Sequence, residues 1–204
     1  VTPALLRPDW LRVLFFWLAL ATLAAGCSSD SGPAFQATDI TGADFGRKLE
    51  LTGHDGKPRT LADFQGKAIV VFFGFTHCPD VCPTTLVKLA GVVKALGTRG
   101  NQVQVLLVTV DPERDTPQVL QPYATAFHPD FLGLTGTPAQ IAAVAKEFRV
   151  VAEKQPGATP DSYTVDHSAG IYVFDKQGRL RLFVAGNQPA SVLQHDLHLL
   201  LGGA

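Results

Sequence analysis

Ala68-Ile69-Val70-Val71-Phe72-Phe73-Gly74-Phe75 is an unbroken apolar run, and it leaves this chain few ways to fold. At that length, with no polar alternation, it reads as a central strand buried on both faces. Leu86, Leu89, Ala90, Val93 and Leu96 follow at helical spacing, closed by Gly97, and Val103–Val110 is a second buried strand. Val119–Phe127 and Pro138–Phe148 read as further helices, and a terminal helix runs from about Ala190 to Leu201. Ile171–Phe174 and Leu180–Val184 form a hairpin through the turn Asp175-Lys176-Gln177-Gly178. Upstream, Leu49–Leu51 and Arg59–Leu61 flank Asp55-Gly56 as a small N-terminal β-hairpin. The alternation predicts an α/β sandwich with a mixed central sheet flanked by helices.

The chain carries 17 Lys+Arg against 18 Asp+Glu, a formal net charge of −1. With no basic cluster, this balance argues against a nucleic-acid partner. Much of the 46% hydrophobic content sits in one N-terminal block. Arg7 and Arg12 precede Val13–Ala25, an apolar run that ends Leu23-Ala24-Ala25-Gly26-Cys27-Ser28-Ser29-Asp30. A basic flank, a short apolar run and small residues before a break describe a secretory signal. The ending is similar to a bacterial lipobox, in which Cys27 becomes the lipidated N-terminus, although Ala24 stands where lipoboxes favour Leu. The stretch between Arg12 and Asp30 is also just long enough for an uncleaved membrane anchor, which needs about 17–25 residues. Either reading, like plain secretion, places the remainder outside the cytoplasm, in the bacterial cell envelope or periplasm. The expected division is a signal or anchor over 1–26, a flexible tether over 27–46 and one domain over 47–204.

The first buried strand runs directly into Cys78-Pro79-Asp80-Val81-Cys82-Pro83. Pro83 tolerates a first helical turn but not a helix interior, so Cys78 lies at or just before a helix N-terminus and Cys82 in its first turn. Asp80 is the N-cap candidate. At spacing i, i+4 both sulphurs face one side, where free N–H groups and the helix dipole favour thiolate. A thiolate both attacks disulfides and binds metal, so spacing alone leaves the two chemistries open. If Cys27 is lipidated, Cys78 and Cys82 are the one remaining pair of the chain's three Cys. His167, far downstream just before the hairpin, would complete a two-sulphur, one-nitrogen set suited to copper. The chain has no Met, so thioether ligation is excluded. Zinc is the rival metal, but structural zinc usually wants a fourth protein ligand.

Three blocks carry a resemblance. Phe73-Gly74-Phe75-Thr76-His77-Cys78-Pro79-Asp80-Val81-Cys82-Pro83-Thr84, Val110-Asp111-Pro112-Glu113-Arg114-Asp115-Thr116-Pro117 and Val165-Asp166-His167-Ser168 look like the signature segments of the Sco/SenC family. The resemblance covers about residues 36–201. It implies a thioredoxin-like fold, one copper ion on Cys78, Cys82 and His167, and a role in assembling the binuclear copper site of cytochrome c oxidase subunit II. A second periplasmic copper chaperone or a thiol reductant would be further partners. The alternative reading is a thiol–disulfide oxidoreductase, with Cys78 and Cys82 as its catalytic pair, that reduces the cysteines of that site. Against a dedicated reductase, the Cys78–Cys82 linker is one residue longer than that of thioredoxins. The facing stretch Ser168-Ala169-Gly170 also lacks their proline. A peroxiredoxin reading fails because Pro79 stands where that family places Thr.

Other polar residues point to structure. Asp111 and Asp115 are expected to cap the next helix and fix their loop, with docking or support of the metal site as the alternative for Asp111. His77 is expected at the surface. His195, Asp196 and His198 share a helical spacing that reads as a solvated face rather than an accessory metal site. His54 and His128 carry no functional expectation.

Overall fold

The computed structural model describes residues 34–158 and 162–202. Cys27, the expected signal or anchor over 1–26 and the first part of the tether lie outside these residues. Among the described residues no helix is long and apolar enough to cross a membrane. The strands are β1 (Thr38–Asp39), β2 (Glu50–Gly53), β3 (Pro58–Thr60), β4 (Ala68–Gly74), β5 (Val103–Thr109) and β6 (Leu132–Thr135). They continue with β7 (Ala152–Gln155), β8 (Thr164–His167), β9 (Ile171–Phe174) and β10 (Leu180–Val184). The helices are α1 (Val81–Ala95), α2 (Pro117–Phe127), α3 (Pro138–Glu147) and α4 (Ala190–Leu200).

Eight strands form one sheet in the order β1-β10-β9-β4-β5-β6-β2-β3. At its centre β4 and β5 run parallel without a slip, Ala68 opposite Val103 and Gly74 opposite Thr109. β6 continues the parallel set, whereas β9 lies antiparallel to β4, so the sheet is mixed as its sequence predicts. Every residue of β4 and β5 is buried because both sheet faces are covered. Gly74 looks toward α1: a β-carbon added there would sit 3.0 Å from the Cys82 sulphur. Phe73, one residue earlier, points to the opposite face, its ring centroid 5.3 Å from that of Phe148 just past α3. Alternation along one strand thus anchors a helix on each side.

Three features depart from the expectations. β6 was not anticipated; it is four residues long and contains Gly133, and its strand character comes from hydrogen bonding to β5 and β2. β7 and β8 form a separate two-stranded sheet in which Val165 alone is buried, so no apolar pattern announces it. Residues 35–46, expected within a tether, instead belong to the compact unit, which begins at Phe35. Thr38 and Asp39 pair with Phe183 and Leu182 at the free edge of β10. The fully buried Asp196 accepts the backbone N–H of Gln36 (2.9 Å) and of Ala37 (2.8 Å). A free strand edge and a buried carboxylate thus satisfy backbone that had no partner in its own segment.

These contacts correct the solvated-face reading of the last helix for Asp196, whereas His195 is exposed as expected. Asp196 is 0% exposed and His195 Nδ1 lies 2.9 Å from its Oδ1, while His198 Nε2 lies 3.3 Å from an Arg99 nitrogen. Asp196→Asn replaces one acceptor oxygen by an amide that faces a backbone donor. It is expected to destabilise the fold by about 1–2 kcal/mol, read as a lower urea midpoint at constant slope.

Candidate metal centre

The end of β4 and the start of α1 place the two cysteines. α1 begins at Val81 with Asp80 as N-cap, but the Asp80 side chain makes no capping bond. The Cys82 backbone N–H instead donates to Cys78 Sγ at 3.3 Å, so a sulphur satisfies one of the orphan donors of this helix end. Pro83 sits in the first turn, where a missing N–H costs nothing. The two thiols are not joined; Cys78 is half-buried and Cys82 is completely buried. Burial pushes the Cys82 thiol far up, reinforced by its hydrogen bond with Cys78, so it holds its proton until a metal displaces it.

His167 closes the group from the end of β8, 85 residues away in sequence. Its Nδ1 lies 3.1 Å from the Ser168 carbonyl, which can only accept, so Nδ1 carries the proton. Nε2 is then the unprotonated nitrogen, and it lies 3.5 Å from Cys82 Sγ. This is the arrangement by which a second hydrogen bond orients a ligating imidazole. Phe72 and Phe75 meet the ring edge-on, with centroids 6.3 and 5.9 Å away. Burial lowers the His167 pKa, which keeps the ring neutral and able to donate a lone pair. Behind it, Gly186 lies so close to the Ala169 carbonyl that a β-carbon would approach within 2.5 Å. Lys88 of α1 holds that loop by donating to Gly186 O (3.0 Å) and Gln188 O (3.2 Å).

One potential ligand atom from each of Cys78, Cys82 and His167 lies within 4.8 Å of the other two. All three donors are soft or borderline and no carboxylate joins them, which suits copper and disfavours magnesium or calcium. His77 is exposed, with Nδ1 3.0 Å from Thr76 Oγ1, and stands outside the group. His54 accepts from the Gly133 N–H through Nδ1 at 3.1 Å, and His128 accepts from that of Asp130 at 3.2 Å.

The acidic pair behaves differently from expectation. The N-cap of α2 is Thr116, so neither Asp111 nor Asp115 caps it. Asp115 is fully buried and reaches across to the cysteine loop. It accepts from Thr76 N (3.0 Å), Thr76 Oγ1 (2.5 Å) and Thr109 Oγ1 (2.6 Å). Asp111, also fully buried, accepts from Arg114 Nε (2.5 Å) and from the Tyr163 hydroxyl (2.7 Å). Of these partners, Thr76 and Tyr163 lie 39 and 52 residues away in sequence, beyond the reach of local capping signals. Tyr123 was also missed. Among the described residues its buried hydroxyl has no hydrogen-bond partner. Burial raises its pKa, and the neighbouring Cys82 and Cys78 reinforce the shift.

Comparison with known proteins agrees with this geometry. Residues 37–202 match the SCO1/SenC family model. The chain is 41% identical over 165 residues to the mitochondrial SCO2 homolog of Bos taurus, covering 79% of this chain and 60% of that protein. It therefore spans less than two thirds of that relative's length. The copper-bound structure of Bradyrhizobium japonicum ScoI is 39% identical, covers 78% of this chain and 99% of its own, and superposes with a TM-score of 0.70. A SCO1/SenC family lipoprotein from Bacillus anthracis is 27% identical, with a TM-score of 0.69 over 82% of this chain and 99% of its own. The mixed sheet flanked by helices is thus the thioredoxin-like sandwich of the Sco structures. By both sequence and fold, this chain belongs to the SCO1/SenC family.

Proposed function

We propose that this protein is a copper metallochaperone working outside the cytoplasm, which carries one copper ion on Cys78, Cys82 and His167. Its client is the binuclear copper site of cytochrome c oxidase subunit II. The observation that carries this reading is the convergence of two thiols and one oriented imidazole within 4.8 Å. The presence of copper in the Bradyrhizobium ScoI structure supports the choice of metal. Three ligands leave room for an incoming thiolate or imidazole, so copper passes by stepwise exchange, one protein ligand leaving while the others hold. The lipid on Cys27, which becomes the N-terminus once the apolar run before it is removed, supplies the membrane tether.

The test is an anaerobic titration of the reduced full chain with Cu(I) and with Cu(II), read by spectroscopy that reports sulphur and nitrogen ligation. One equivalent with both ligand types is expected. His167→Ala is expected to lose the nitrogen signal and more than ~100-fold in affinity, since loss of a supporting group alone costs about 10–100-fold. One-to-one copper held as tightly by His167→Ala contradicts the assignment.

A second reading rests on the asymmetry of the thiols. Cys78 is accessible at a helix N-terminus, and Cys82 is buried and protonated, an arrangement suited to attack by one sulphur and resolution by the other. Such a reductase needs both cysteines but not His167. Rescue of an oxidase-deficient strain by the His167→Ala protein would favour it.

A further inference from the structure

His167 stands on the β7–β8 hairpin, whose strands pair with each other and not with the eight-stranded sheet. Side-chain contacts also tie the other end of this hairpin to the body of the domain. The contacts converge on Tyr163, one residue before β8. Its hydroxyl donates to the buried Asp111 at 2.7 Å, and its carbonyl accepts from an Arg114 Nη at 3.0 Å. The Arg114 guanidinium carbon lies 3.7 Å from its ring centroid, and Lys154 Nζ, from β7, lies 4.7 Å from the same ring. Lys154 also pairs with Glu113 at 2.7 Å. Asp111 closes the circuit by accepting from Arg114 Nε. The phenol is therefore gripped at its ring, its hydroxyl and its backbone by residues of one loop, 111–115, and by its own hairpin. Desolvation and the Asp111 bond push the Tyr163 hydroxyl up to about 12, so it remains a donor at physiological pH.

The same loop holds the other half of the centre. Asp115 grips Thr76, two residues before Cys78, through the backbone N–H and the hydroxyl. Residues 111–115 thus grasp the cysteine loop with one carboxylate and the histidine hairpin with the other.

We infer that Tyr163 is a positioning residue for copper binding: its clamp on Asp111 and Arg114 sets the distance between the imidazole and the sulphurs. The inference rests on the ligand reading proposed above and adds to it what holds the imidazole in place. The clamp joins the half-exposed Lys154–Glu113 pair to the largely buried Arg114 and the fully buried Asp111.

The test compares the full chain with Tyr163→Phe and Tyr163→Ala, each loaded with one equivalent of Cu(II). Electron paramagnetic resonance reads nitrogen coupling from the imidazole, and a chelator in excess reads copper release. Tyr163→Phe removes only the hydroxyl that donates to Asp111 and keeps the cation contacts, so it is the milder of the two variants. The parent is expected to show nitrogen coupling. Tyr163→Ala is expected to lose it and release copper at least ~10-fold faster, with Tyr163→Phe between the two, as for other groups that orient a ligand. Both variants should still bind one equivalent through sulphur. Parent-like coupling and release in both variants overturn the clamp while leaving the ligand reading intact. Absence of nitrogen coupling in the parent overturns the ligand reading, and the clamp with it.

Discussion

Cys78→Ala and Cys82→Ala are each expected to abolish stoichiometric copper binding, with affinity falling by more than ~100-fold, because each removes one of two thiolates. The two differ in what they do to the metal-free fold. Cys82 is 0% exposed and packed against Gly74, so deleting its sulphur leaves a small void costing about 1 kcal/mol. Cys78 is half-buried, and its sulphur accepts one helix N–H that water can reach instead, so its loss costs within about 0.5 kcal/mol. Copper titration and urea denaturation of the metal-free chain read the two effects separately. Equal stability of the two variants would mean that the buried sulphur contributes nothing to packing.

Asp115→Ala is expected to destabilise the metal-free protein by about 3 kcal/mol, because it removes at once the acceptor of one part-buried N–H and of two hydroxyls, that of Thr109 buried. For a chain of this size that corresponds to a melting temperature lower by roughly 6–12 °C. The loss falls on the cysteine loop, so copper affinity should drop in the same variant although no ligand is touched. Asp115→Asn keeps an acceptor for Thr76 N and Thr109 Oγ1, and the Thr76 hydroxyl turns to accept from the new amide. Its cost should stay under about 1.5 kcal/mol. A melting temperature for Asp115→Ala within 2 °C of the parent would show that packing alone positions the loop.

The parts of this architecture written in the sequence are those that local periodicity encodes. An apolar run as long as β4 has one comfortable home, between two covered faces, and Pro83 allows a helix to begin only near Asp80. The β9–β10 hairpin and the helices carried comparable signals. β6, β7 and β8 did not, because a strand of four residues draws its stability from its neighbours' hydrogen bonds rather than from its own side chains. Asp196 was misread for a related reason. A carboxylate at helical spacing looks like a solvated face until a segment 160 residues earlier brings two backbone donors to it.

The candidate metal centre divides along the same line. Residue type and spacing determined the chemistry: two sulphurs at one helix start, one imidazole elsewhere, no thioether, and hence a soft-metal or dithiol site. Only the tertiary structure decided that Nε2 of His167 comes within 3.5 Å of Cys82 Sγ, that one thiol is buried and the other accessible, and that residues 111–115 grip both halves. Ligand chemistry is a property of single side chains and survives in a linear string. Distances between ligands depend on contacts spanning tens of residues, which exist only once the chain has closed on itself.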